Sequence, residues 1–174
     1  MKHITLIIIA MLFSITAFAQ QTFDTDFSQT KVMKVSGKTT KKVGHIHFDG
    51  NDQLSMIYSE PEGDFFIIDG NIVKINMDGA KTELDANKVK MVGLQRSTLI
   101  NCLSGNWEQA AIDNNAETTI TEEKGLKTIS IVANGKIPKG GYKSVVLTYR
   151  VSDGMMTKMI LEEAVGSINT YELK

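Results

Sequence analysis

His45 and His47, with Asp49 continuing the row, are the first candidates for chemistry in this chain. In a strand all three project to one side, and two imidazoles two residues apart are able to share a zinc ion. The set is one ligand short, because the remaining histidine, His3, lies in a segment expected to be removed. The row reads as a partly exposed strand face, and neither a metal nor another cofactor is expected. Asp49-Gly50-Asn51-Asp52 lacks the length and the closing glutamate of a calcium loop. The carboxylate pairs Asp24/Asp26 and Glu162/Glu163 read as ordinary solvated charges. Cys102, the single cysteine, sits among Leu99, Ile100 and Leu103 with no activating partner, so it reads as a small buried apolar residue. There is no Gly-x-Ser-x-Gly elbow and no phosphate-cradling glycine loop. The chain does not read as an enzyme.

The elements around these residues are mostly strands. Lys2 and His3, the apolar run from Ile4 to Phe13, and Ala17-Phe18-Ala19 have the layout of a secretory signal peptide cut after Ala19. Residues 1–19 are thus the expected signal and 20–174 one exported domain, long enough for a sizeable core. A lone cysteine forms no internal disulfide, so stability rests on packing. A net charge of −1 gives no electrostatic case for nucleic acid.

Three short apolar strands follow one another, at 54–58, 65–68 and 72–77, with Asp69-Gly70-Asn71 marking the second hairpin. Phe65 to Ile68 does not alternate apolar with polar, so both faces of that strand are expected to meet something apolar. Phe23 and Phe27, four apart, predict a short helix over 22–29. Lys31 to Lys42 predicts a hairpin at a sheet edge, where lysines discourage stray pairing. A weaker reading has that basic run touching a membrane or a transporter. The stretch 85–105 predicts two short helices divided at Gly93, with Ser97 as a cap and Gly105 as the end. From Ala116 onward, strands separated by Gly-containing turns return through 167–173.

Four segments, in order, resemble the LolA family of periplasmic lipoprotein carriers. They are Phe27-Ser28-Gln29 before a basic strand, Gln53-Leu54-Ser55-Met56-Ile57-Tyr58-Ser59-Glu60-Pro61, Ile67-Ile68-Asp69-Gly70-Asn71-Ile72-Val73, and the Asp153-Gly154 hairpin with Gly166 and a closing strand. The helix ending Leu103-Ser104-Gly105-Asn106-Trp107 falls where that family has one. The resemblance covers most of 20–174. It implies a mostly β (α+β) fold: a curled antiparallel sheet forming an unclosed half-barrel, with helices as a lid over the concave face. It implies transport rather than catalysis. The partners would be acylated lipoproteins taken from an inner-membrane ABC lipoprotein-releasing transporter, with an outer-membrane receptor left open, and the protein would be a periplasmic monomer. The alternatives on the same fold are a carrier of a free lipid or lipid-linked molecule and a non-transport structural or sensory module.

Strand alternation sorts the expected acyl-chain pocket into sets. These are Leu54, Met56 and Tyr58; Phe66 and Ile68; Val73, Ile75 and Met77; Ile129 and Ile131; and Val145, Leu147 and Tyr149. Leu99 and Leu103 join them from the helix. By the resemblance, Leu54 and Phe66 fall where the family lines its pocket. Met33, Met56, Met77, Met91, Met155, Met156 and Met159 supply adaptable side chains suited to varied acyl chains. Two positions depart from the family: Asp49-Gly50 stands where some members carry a basic residue, and Met56 where a tryptophan is common. Lid control and cargo preference therefore do not carry over.

Overall fold

The computed structural model describes residues 22–174. The expected signal peptide lies outside the described residues. Eleven antiparallel strands form one sheet, ordered β6-β5-β4-β3-β2-β1-β11-β10-β9-β8-β7. In chain order they are β1 (Phe23–Met33), β2 (Thr39–Phe48), β3 (Gln53–Glu60), β4 (Phe65–Asp69), β5 (Ile72–Met77) and β6 (Ala80–Asp85), then β7 (Ala116–Glu123), β8 (Leu126–Ala133), β9 (Tyr142–Arg150), β10 (Met156–Glu163) and β11 (Ser167–Leu173). Two helices, α1 (Lys90–Leu103) and α2 (Trp107–Asp113), connect β6 to β7. The sheet does not close, because β6 and β7 have a partner on one side only. The edges carry Lys81 and Glu83 on β6 and Glu117, Glu122 and Glu123 on β7, charges that discourage pairing with another chain. Helix α1 touches β6, and α2 touches β7 and β8. The helices thus span the gap between the two edges. The mostly β fold with a curled, unclosed sheet and a helical lid is the one the sequence implied.

One face of the sheet is apolar on either side of its centre. Cross-strand partners Phe48, Leu54, Ile68 and Val73 follow one another on one side, and Ile131, Val145 and Leu161 continue that face on the other. These residues are nearly all inaccessible and form one cluster with Leu99, Cys102, Leu103, Trp107, Ala110 and Ala111 of the helices. The opposite face of β4 is half-buried at Phe65 and Ile67, and the facing Ile57 is 47 % exposed. The lack of alternation in β4 therefore reflects an apolar outer patch as well as the core.

Three expectations about local structure are corrected. The segment 22–29 is not a helix, since β1 begins at Phe23 and contains both Phe23 and Phe27. A spacing of four places both on one side of a strand as well as of a helix, and the residues that complete the strand's inner row, Gln29 and Lys31, are polar. The lysine-rich hairpin is real but stands at the centre of the sheet, because β1 pairs with both β2 and the C-terminal β11. That second pairing is non-local and leaves no mark in nearby sequence. Finally, 90–103 is a single helix running through Gly93. Ser97 lies inside it, donating to Asp113 Oδ2 at 2.6 Å, while Gly105, at φ +82°, does mark its end.

Gly93 serves close approach. A Cβ there would stand 2.6 Å from the Ala86 carbonyl oxygen, so the glycine lets α1 lie against the segment leaving β6. Gly93→Ala should lower unfolding stability by about 1–3 kcal/mol in a denaturant titration, the usual cost of overpacking. Unchanged stability would mean that the helix shifts freely and is not held at Ala86.

Candidate functional site

The concave face divides into two halves under the two helices. Beneath α2 the protein fills its own concavity. Ile129 and Leu147 are 0 % exposed, and Ile131, Val145 and Tyr149 are nearly as deeply buried. The Trp107 indole donates to the Tyr149 hydroxyl at 3.3 Å, with its ring 5.7 Å from the tyrosine ring. Burial of the Tyr149 phenol raises its pKa.

Beneath α1 the concavity stays open. A cavity of about 530 Å³ lies between the sheet and the helix. Its apolar wall is Ile46, Leu54, Met56, Phe66, Ile75, Met77, Leu99, Leu103, Met159 and Leu161. Phe66, Ile75 and Met77 pack only partly against the core, which leaves part of each facing the void. Of the residues expected in the pocket, Leu54, Met56, Tyr58, Phe66, Ile75, Met77, Leu99 and Leu103 line this cavity. Ile68, Val73, Ile129, Ile131, Leu147 and Tyr149 do not line it and are buried core. Alternation groups residues by face, and it cannot distinguish a face met by protein from one met by space.

Sequence reasoning missed the polar side of the cavity. Gln29, Lys31, Lys38, Thr40 and Lys42 line it from β1, β2 and the turn between them, and Glu163, Asn169 and Tyr171 from the C-terminal strands. The pattern was legible only once β1 was recognised as a strand. Gln29 is 8 % exposed and donates to Asn169 Oδ1 at 3.0 Å and to the Tyr171 hydroxyl at 3.1 Å. Asn169 in turn donates to Glu163 Oε1 at 2.9 Å. Burial pushes the Tyr58 pKa up to about 12 and raises that of Tyr171 well above the usual phenol value, so both stay neutral donors and acceptors. Lys42 bonds Asp64 at 2.5 Å, and the Asp64 carboxylate also accepts the Asp78 amide at 2.9 Å. The Lys42 ammonium, foremost, holds the Asp64 carboxyl below the usual carboxylate range.

The lid is tied down by polar bonds at two points. Arg96 of α1 donates from Nε to the Gly70 carbonyl in the β4–β5 turn at 2.5 Å. The buried Asn114, just after α2, donates to Thr98 Oγ1 at 2.7 Å, and its Oδ1 accepts the Tyr142 amide of β9 at 3.2 Å. One side chain thereby joins α1, α2 and the sheet.

The expected histidine row occupies the outer face. His45 lies 2.6 Å from Asp24 through Nε2 and 3.0 Å from Asp26 through Nδ1. The hydrogen bonds that its ring donates to Asp26 and then to Asp24 raise its pKa, an arrangement suited to an imidazolium with both nitrogens engaged. No group of three or more potential ligands able to hold a metal occurs among the described residues. On the same outer face, a depression of about 500 Å³ opens around the Val43–Gly44 bulge, with no helix across it. Cys102 is fully buried and its pKa is pushed up to about 12 by that burial, which leaves the thiol inert.

No protein-family model and no curated protein matches the sequence. Solved structures are similar across most of the chain. They include a LolA superfamily protein from Nitrosomonas europaea, at TM-score 0.41 and 12 % identity, covering 90 % of this chain and 86 % of that one. A putative outer membrane lipoprotein-sorting protein domain from Vibrio parahaemolyticus gives TM-score 0.40 and 6 % identity, covering 89 % and 84 %. The Mycobacterium tuberculosis lipoprotein LppX gives TM-score 0.32 and 10 % identity, covering 87 % and 85 %. No helix among the described residues is long and apolar enough to cross a membrane.

Two substitutions probe the site's supports. Asn114→Ala should destabilise by about 1–3 kcal/mol in thermal or chemical denaturation, since it leaves the buried Thr98 hydroxyl and Tyr142 amide without that partner. A change below about 0.5 kcal/mol would show that water replaces it. Asp64→Asn should lower the melting temperature at neutral pH. Asp64 has a folded pKa below its unfolded value of about 3.9, so its contribution is present above that value and is lost as the pH falls through the folded pKa. The gap between wild type and Asp64→Asn should therefore close in acid. A gap independent of pH would place the effect in packing.

Proposed function

We propose that this protein is an exported carrier that shields acyl chains in the cavity beneath α1. The observation that carries the reading is the cavity itself, about 530 Å³ and largely apolar, left unfilled beside a half-concavity that the protein fills completely. A volume of that order is typical of small-ligand sites. A buried methylene gains roughly 0.8 kcal/mol over an exposed one, so an acyl chain crosses water readily only when covered. Met33, Met56, Met77 and Met159 give the wall flexible, polarisable surface that adapts to chains of different shape. In this reading the cargo is the acylated end of a lipoprotein, received in the periplasm from an inner-membrane ABC transporter and passed to the outer membrane or a receptor there. The LolA resemblance of the sequence supports that cargo and those partners. A free lipid is the second reading, favoured by the amines that flank the cavity at Lys31 and Lys38. The protein acts by binding and release, with no bond made or broken.

Two tests address it. Native mass spectrometry of the protein purified from the envelope of its own host should reveal bound acylated lipoprotein or lipid. An empty protein that also ignores added acyl probes would overturn the carrier reading. Phe66→Ser should weaken binding of a fluorescent fatty acid about tenfold or more with little loss of stability, because Phe66 lines the void. Ile129→Ala should do the opposite, costing about 2–5 kcal/mol of stability while leaving affinity unchanged, because Ile129 is 0 % exposed and off the cavity. Equal effects of both on affinity would argue against a cavity confined to α1's side.

A further inference from the structure

The acyl-binding reading leaves the basic wall of the cavity without a purpose. Lys31, Lys38 and Lys42 line the cavity from β1, the turn and β2. Lys31 stands opposite Thr40 on β2 and Asn169 on β11. Lys38 stands next to them across the turn, where its carbonyl accepts the Met33 amide at 2.9 Å. Lys42 is committed to Asp64 at 2.5 Å. Neither Lys31 nor Lys38 has an ion-pair partner among the described residues. Two acidic side chains share the lining: Glu163, which accepts the Asn169 amide at 2.9 Å, and Asp78, 87 % exposed at its side chain and 4.0 Å from Lys42.

Two like charges that line one void, Lys31 half-buried and Lys38 exposed at its rim, feel a mutual repulsion. An anion between them removes it and gains charge-assisted hydrogen bonds. Resting on the acyl-binding reading, we propose that the cavity takes an anionic amphiphile, with its acyl chain under α1 against Leu54, Met56, Phe66 and Ile75 and its phosphate or carboxylate held by Lys31 and Lys38. Thr40, between the lysines on β2, adds a hydroxyl donor. The cavity then reads the headgroup by charge and the chain by burial. An acylated group with no negative charge beside its chain binds through the chain alone.

The test compares ligands of one chain length on the exported protein by isothermal titration, below micelle-forming concentrations. The probes are 1-oleoyl-lysophosphatidylglycerol, 1-oleoylglycerol and inorganic phosphate. The anionic lipid should bind about tenfold or more tighter than the uncharged one, as expected for two charge-assisted contacts. Added salt should weaken only the anionic lipid. The K31Q/K38Q double variant should bring the two lipids to within about twofold of each other, through loss of affinity for the anionic one. Equal binding of both lipids by the wild type would overturn the proposal, and so would a preference that survives in K31Q/K38Q. Inorganic phosphate binding as tightly as the lipid would overturn it too, since the site would then recognise an anion without a chain. Failure of both lipids to bind would instead remove the acyl-binding reading on which the proposal rests.

Discussion

The rest of this structure follows from a mismatch of area. An unclosed sheet of eleven strands presents a largely apolar concave face, interrupted near its centre by Gln29, Lys31 and Asn169, and the described residues supply only a fourteen-residue and a seven-residue helix to cover it. Apolar surface left in water is unfavourable in proportion to its area, so every square ångström the helices miss favours another occupant. The shortfall is not spread evenly. Trp107, Ala110 and Ala111 seal the half beneath α2, while α1 arches over the other half and reaches it with Leu99 and Leu103. A filled half beside an open half gives the molecule both a stable core and a site.

The tethers of the lid are polar, which suits a roof that has to stay in place over a void. Packing alone would draw α1 down onto the open half. Arg96 at the Gly70 carbonyl and Asn114 between Thr98 and Tyr142 instead fix the helix by geometry. The glycine at 93 serves the same end by fixing how closely the helix approaches Ala86. The polar row Gln29–Asn169–Glu163 stiffens the opposite wall in the same manner, with each amide satisfied by its neighbour.

Most of the architecture was legible in the sequence because it is local. Hairpins such as β4–β5 and β9–β10 announce themselves through Asp-Gly turns and alternating apolar residues, and the closing glycine at 105 marks the end of α1. The errors fall where the answer is non-local. Phe23 and Phe27 fit helix and strand equally until β11 is seen beside β1. Lys31 and Lys42 look like an exposed edge until their strands are found in the middle of the sheet. Ile129, Leu147 and Tyr149 share the pattern of Leu54 and Met56, and only the position of Trp107 decides which set meets a void. The cavity's polar wall was hidden for the same reason, since inward-facing Gln29 and Lys31 break the apolar alternation from which an inward face is inferred.

The strand order has a kinetic meaning. Every neighbour in the sheet is also a neighbour in sequence except β1 and β11. The sheet is therefore two meanders, β1 to β6 and β7 to β11, each able to form through short-range hairpin closure. Their junction brings together residues 142 apart in the chain, as at Gln29 and Tyr171. Closing so long a loop carries the largest entropic cost of any pairing in the sheet, and such non-local pairings are the slow ones. The seam runs through Gln29, Lys31, Asn169 and Tyr171, the polar wall of the cavity. The pocket is thus completed only by the least local pairing in the sheet, so a chain whose two halves have folded separately has apolar surface without its enclosure.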